Sequence, residues 1–267
     1  MHTLVLTLGW NVLGDRGVQA LAALKHSPSL RSLSLHLGWN AIGDCGAGAL
    51  AELRDAPSLE TLILHLMGNA IGDVGAQGLA ALKDAPRLHT LTIDLGENKV
   101  AASGAQALAQ LENGQSLRIL NIDLGGNALG CSGAQALAAL KDAKALHTLR
   151  LNLYGNTVGD GGVQALAALK DAPSLHTLTL NLASNAVGDT GAQGLAALRH
   201  AAALRTLTVD LGENNVAASG AQALAAWKDN PSLCTVALSL RGNDVGEIGR
   251  QALDELTHSV PNSFVRL

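Results

Sequence analysis

The sequence predicts an α/β solenoid: nine 29-residue strand–turn–helix repeats, with a parallel concave sheet backed by short convex helices. Three observations carry this reading. Asn11, Asn40, Asn69, Asn98, Asn127, Asn156, Asn185, Asn214 and Asn243 follow one another at 29-residue intervals without insertion. Within each repeat, apolar residues alternate first with a period of two and then with the period of a helix. Apolar residues make up 48% of the chain and aromatics only 2%, which suits many thin, similar layers better than one globular centre.

The second repeat shows how each element arises. It reads Leu30-x-x-Leu33-x-Leu35-x-Leu37-x-x-Asn40-x-Ile42, then Gly46-x-x-x-Leu50-x-x-Leu53. Leu33, Leu35 and Leu37 recur every second residue, so they form a strand with one buried face. Gly43-Asp44 and Gly46 mark a turn, and Ala, Leu50 and Leu53 then recur at helical spacing. Ala56-Pro57-Ser58 ends that helix before the next strand.

Asp15, Asp44, Asp73, Asp160 and Asp189 stand at the expected N-caps. The repeats with Ala102, Cys131 and Ala218 at that place carry Ser103, Ser132 and Ser219 next to it. Either residue type is expected to accept from the free amides of its own helix. Lys25, Arg54, Lys83, Lys141, Lys170, Arg199 and Lys228 fall at the helix ends, where the dipole favours a cation. The asparagines are read as a structural ladder whose amides satisfy backbone groups where the chain leaves the sheet.

A single domain is expected over residues 1–267, with an irregular end at 250–267. There Arg250 to Pro261 reads as a more polar helix, and Phe264 to Leu267 as a tenth strand. The first strand begins at His2 without a polar cap, which points either to a piece of a longer protein or to self-association through the N-terminal edge. Asn69 to Ala109 closely matches Asn185 to Ala225, four repeats later. A four-repeat duplication and a consensus-designed array both account for that uniformity.

The pattern L-x-L-x-x-N-x-[VIL]-G-[DA]-x-G-A-x-A-L, from residue 2 to about 256, resembles the ribonuclease-inhibitor-like class of leucine-rich repeats. That class also forms the sensor region of NOD-like receptors. The resemblance implies a leucine-rich-repeat solenoid. It leaves function open among inhibitors, receptors or sensors, and regulators of GTPases. This chain departs from the class in its third strand leucine, in the Thr or Ser beside it (Thr61, Thr90, Thr148), and in a helix shortened to Leu-Ala-Ala-Leu.

Function must come from side chains that vary while facing outward. The central outward position of successive strands reads Thr7, His36, His65, Asp94, Asp123, Asn152, Asn181, Asp210 and Ser239. Two zones stand out. The first collects Trp10, Trp39, His36, His65 and Met67, either as a binding patch or as cover for the open end. The second is acidic: Asp94, Glu97, Asp123, Asp210 and Glu213, with Tyr154 and Arg241 on the same face. Adjacent like charges repel, so stability alone is not expected to choose Asp94 beside Asp123. These eleven candidate residues, Arg241 apart, point to a protein partner with a basic surface.

No Ser-His-Asp or Cys-His set converges on one face, so no catalytic residue is expected, and neither a metal nor a cofactor is expected. The formal charge of −4, with no Lys/Arg cluster, argues against nucleic acid, and no apolar run reaches membrane-spanning length. The three cysteines, Cys45, Cys131 and Cys234, occupy unrelated places in the repeat. A reducing, cytoplasmic site is therefore expected. The reading as a whole is a non-enzymatic interaction scaffold. Its alternatives are a GTPase regulator and a structural or designed array without a natural partner.

Overall fold

A computed structural model describes residues 2–267. Ten parallel strands form one open sheet in chain order. They are β1 (Thr3–Thr7), β2 (Ser32–His36), β3 (Thr61–His65), β4 (Thr90–Asp94) and β5 (Ile119–Asp123). The series continues with β6 (Thr148–Asn152), β7 (Thr177–Asn181), β8 (Thr206–Asp210), β9 (Thr235–Ser239) and β10 (Phe264–Arg266). Register between the full strands is in phase with the repeat, so Leu33 pairs with Leu62 and Asp94 with Asp123. Sequence phase is thereby converted into straight rows of side chains across the sheet.

One helix follows each of β1 to β9. The helices are α1 (Gly14–Leu21), α2 (Asp44–Leu50), α3 (Asp73–Ala80), α4 (Ala102–Ala109), α5 (Gly130–Leu137), α6 (Gly159–Leu166), α7 (Asp189–Leu195), α8 (Ala218–Leu224) and α9 (Gly246–Ser259). The first eight run into a 3-10 turn that continues the Leu-Ala-Ala-Leu run or its variants, such as Leu50-Ala51-Glu52-Leu53 and Leu108-Ala109-Gln110-Leu111. The inward leucines of every strand and helix join one continuous core, including Leu33, Leu35, Leu37, Leu50 and Leu53. Trp227 takes the place of a helix leucine there, fully buried, with its Nε1 donating to the Leu195 carbonyl at 3.1 Å. The irregular end is the longer helix α9 followed by β10, which pairs with β9.

The helix starts differ from the sequence reading. No aspartate caps its own helix; each caps the helix of the next repeat. Asp15 Oδ1 accepts from the amides of Gly43 and Gly46, at 2.7 and 2.9 Å. Asp44, Asp73, Asp160 and Asp189 repeat this across the following interface. Ser103 and Ser219 do not replace an aspartate: their hydroxyls donate to Asp73 and Asp189 of the preceding repeat. Burial pushes the Asp73 carboxyl up, but the Ser103 hydroxyl and the amides of Ala101 and Gly104 outweigh it and hold the group below its ordinary range.

The aspartate also sets the backbone. Where the preceding repeat supplies it, the residue before the helix is extended: Gly43, Gly72, Ala101, Gly188 and Ala217 all have φ between −104° and −112°. Where it is missing, that residue is a glycine in the left-handed region: Gly14, Gly130, Gly159 and Gly246, with φ of 55° to 62°. The amide of Gly130 then turns forward to the Asn156 carbonyl at 3.1 Å. Alanine stands at this position only after an aspartate, because its Cβ disfavours the left-handed alternative.

Candidate functional site

The asparagines lie where the strands end, at the rim leading to the helices. Asn127 Nδ2 donates to the carbonyls of Leu95 and Leu124, at 2.8 and 3.0 Å, and its Oδ1 accepts from Val100 N at 2.9 Å. Each such side chain therefore joins two repeats, and the Leu124 carbonyl accepts in turn from Asn156 Nδ2 at 2.7 Å. Asn40, Asn156, Asn185 and Asn214 are buried in this role, and Asn69, Asn98 and Asn243 make the same contacts. Asn11 is exposed and bonds only to Leu8 and Gly9 of its own turn.

Beside the ladder runs the acidic row. Asp94, Asp123 and Asp210 each accept, through Oδ1, the amide two residues on, at 3.0, 2.8 and 2.8 Å. Asn152 and Asn181 do the same, so an Asp or Asn here closes the end of its strand. Asp123 Oδ2 also accepts from Asn152 Nδ2 at 2.8 Å. The Oδ1 oxygen is therefore structural, and since Asn supplies it equally well, the choice of charge at Asp94 and Asp123 is left for another purpose. Burial pushes the Asp94 carboxyl above its ordinary range; the Gly96 amide opposes this, the Asp123 charge adds to it, and His65 offsets it in part.

The row next to Asn is the outermost rim, and all nine of its residues are left-handed. Four are glycines (Gly68, Gly126, Gly155, Gly242), which adopt this conformation freely. The other five are Trp10, Trp39, Glu97, Ser184 and Glu213, with φ of 52° to 60°. Each costs roughly 1–2 kcal/mol relative to glycine, and all but the half-buried Ser184 present an exposed side chain. Trp10 and Trp39 stack with ring centroids 4.8 Å apart, and His36 and His65 stack below them at 4.5 Å. Gly68 completes the Trp row, since a Cβ there would stand 2.4 Å from the Trp39 ring. Trp10 remains 77% exposed and Met67 37%, so these side chains are only loosely packed by the first repeats.

Toward the other end, Tyr154 and Arg241 flank the small residues Ala183 and Gly212 and leave a notch of about 390 Å³, with Asp210, Glu213 and Ser239 lining it. Glu213 accepts from the Ser184 hydroxyl at 2.8 Å. The acidic candidates therefore divide: Asp94, Glu97 and Asp123 lie mid-sheet, and Asp210, Glu213 and Tyr154 surround the notch. Ser184 was not singled out by the sequence; its left-handed backbone was the missing signal. Arg150, also overlooked, projects from the middle of the open face and donates to Asn121 Oδ1 at 3.2 Å.

Chemically the face offers hydrogen bonds, charge and aromatic surface. His65 Nδ1 and Asp94 Oδ2 are 3.6 Å apart, too far for a hydrogen bond, on a sheet face open to water. Among the described residues, no three His, Cys, Asp or Glu side chains are placed to share a metal ion. Among them also, no helix is long and apolar enough to cross a membrane. In the first repeat, Leu4, Leu6, Leu8, Leu13, Leu21 and Leu24 are only partly buried against the core.

Comparison with known proteins agrees with this architecture. A family model described as Leucine Rich repeat matches residues 1–22, 26–51, 59–80, 87–109, 145–167, 174–196 and 203–225, more than half of the chain. No curated protein sequence matches it. Among solved structures, the chain is similar to an internalin from Listeria monocytogenes, with 16% identity and a TM-score of 0.30 over 96% of this chain and 86% of that one.

Proposed function

Because the chain belongs to the leucine-rich-repeat family, whose members generally serve as interaction scaffolds, we propose that it is a non-enzymatic scaffold docking a basic protein surface along the exit rim of its sheet. One observation carries this reading. Four bulky or charged side chains, Trp10, Trp39, Glu97 and Glu213, occupy left-handed rim positions where glycine would be less strained, and all four are exposed. The Trp10–Trp39 stack and the Ser184–Glu213 bond order these side chains, and a partner supplies the reason for their exposure. The stacked tryptophans are suited to anchor it, and the Tyr154–Glu213 notch to receive a lysine or arginine side chain.

The helix-bearing return of every repeat supports the ribonuclease-inhibitor-like subtype. The three free thiols, Cys45, Cys131 and Cys234, support a reducing compartment such as the cytoplasm. The partly exposed leucines of the first repeat support self-association of the chain as given. Sedimentation tests that point: a species that grows with concentration is expected, and a constant monomer contradicts it.

The docking reading is tested with a labelled oligolysine peptide. Asp94→Asn, Asp123→Asn and Asp210→Asn together keep every Oδ1 acceptor and remove only charge. The triple variant should melt with the parent and bind the peptide about tenfold more weakly, a loss of about 1.4 kcal/mol. Parental binding should weaken as salt rises. Lys83→Glu and Lys170→Glu, on the convex side, should change nothing. Equal binding by the triple variant, or loss through the convex changes alone, overturns the proposal.

A further inference from the structure

The entry ends of the strands carry charge of the opposite sign. The residue preceding each strand reads Arg31, Glu60, His89, Arg118, His147, His176 and Arg205 from the second repeat to the eighth. These are 29 positions apart in sequence, so no basic run is visible there, but the sheet makes them neighbours. The amides of Arg118, His147, His176 and Arg205 donate to the carbonyls of His89, Arg118, His147 and His176, at 2.8 to 2.9 Å. Five consecutive rungs are therefore spaced about 4.8 Å apart. The rings of His147 and His176 stack 5.3 Å apart, so the side chains keep the order of the backbone.

Little opposes this row. Arg31 is tied to Glu60 at 3.1 Å, but Arg118 and Arg205 are exposed and form no ion pair among the described residues. The aspartates nearest in the chain are already matched: Asp84, Asp142 and Asp171 each pair with the lysine before them.

We propose that this entry rim is a second docking surface, taking an extended acidic polypeptide segment with Arg118 and Arg205 as its fixed charge contacts. Three rungs separate the two arginines, about 14 Å; four residues of extended chain span about the same distance. Acidic side chains at i and i+4 of such a segment share one face and meet both guanidiniums. A nucleic acid fits less well. The acidic row lies five residues further along each strand, about 16 Å away, and the chain is acidic in sum, which opposes a broad polyanion but leaves one narrow acidic strand room.

The test is fluorescence anisotropy with labelled hexaglutamate at low salt. The parent should bind it, Arg118→Gln with Arg205→Gln should weaken binding several-fold, and Arg118→Glu with Arg205→Glu at least tenfold, with circular dichroism unchanged. The triple Asp→Asn variant of the exit rim should bind hexaglutamate as well as the parent or better, so failure here is separable from failure there. No binding by the parent, no effect of the arginine changes, or an equal loss from Lys83→Glu with Lys170→Glu overturns the proposal. A six-nucleotide oligothymidylate bound more tightly than hexaglutamate through the same arginines would assign the rim to nucleic acid and overturn it as well.

Discussion

Removing an inter-repeat aspartate should have a cost that depends on a residue 28 positions downstream. Asp44→Ala strands the amides of Gly72 and Gly75, and Asp73→Ala those of Ala101 and Gly104. Gly72 has an escape: the left-handed state that Gly130, Gly159 and Gly246 already occupy, at φ of 59° to 62°. Ala101, extended at φ −112°, reaches that state only at about 1–2 kcal/mol. Loss of the cap itself is worth about 1 kcal/mol. Asp44→Ala should therefore lose about 1 kcal/mol, and Asp73→Ala about 2–3 kcal/mol. Ala101→Gly alone should destabilise by about 0.5–1 kcal/mol, through the greater freedom of the unfolded chain. Added to Asp73→Ala, the same change should instead restore stability. Urea titrations followed by circular dichroism measure all four proteins. Equal losses for the two aspartates, with no rescue by Ala101→Gly, would refute the two-state account of the helix entry.

Asn127→Ala should cost about 1–3 kcal/mol in a urea titration, because the Leu95 carbonyl and the Val100 amide lose their partner, while the Leu124 carbonyl keeps Asn156 Nδ2. Asn11→Ala should cost clearly less, and equal losses would contradict the inter-repeat role. Asp94 binds its proton more tightly folded than unfolded, so its ionisation opposes folding at neutral pH. That penalty fades as pH falls through the raised folded value toward about 3.9. Asp94→Asn should thus be at least as stable as the parent at pH 7 and lose its advantage on acidification; a gap that widens in acid is the opposite result. Asp73 is shifted the other way, so its contribution is present above about 3.9 and lost as pH falls below that through its lowered value. The stability gap between parent and Asp73→Asn should shrink over that range.

The phase of the asparagines and the alternation of Leu33, Leu35 and Leu37 made the fold legible, because a repeat in strict register leaves one way to stack. The tenth strand at Phe264–Arg266 was legible from its own apolar residues, but its register was not: Phe264 pairs with Ala237, two residues out of phase with the repeat. The aspartates were seen, but their partners were not: capping within a helix is a local pattern, whereas Asp15 reaches Gly43 and Gly46 across an interface. The entry rim escaped notice because its charges are dispersed in sequence and gathered only by the sheet. Likewise, Glu97 and Glu213 read as two acidic residues among several; only the backbone reveals that they hold a conformation better suited to glycine.

That last feature gives the most direct test. Glu97→Gly and Glu213→Gly each relieve about 1–2 kcal/mol of left-handed strain and lose about 0.5–1 kcal/mol to chain entropy. Glu97→Gly should therefore gain about 0.5–1 kcal/mol of stability, and Glu213→Gly less, because the Ser184 hydroxyl loses its acceptor, while the double variant binds oligolysine about tenfold more weakly. A double variant that is less stable than the parent and binds the peptide equally well would contradict the claim that the exit rim is kept for a partner.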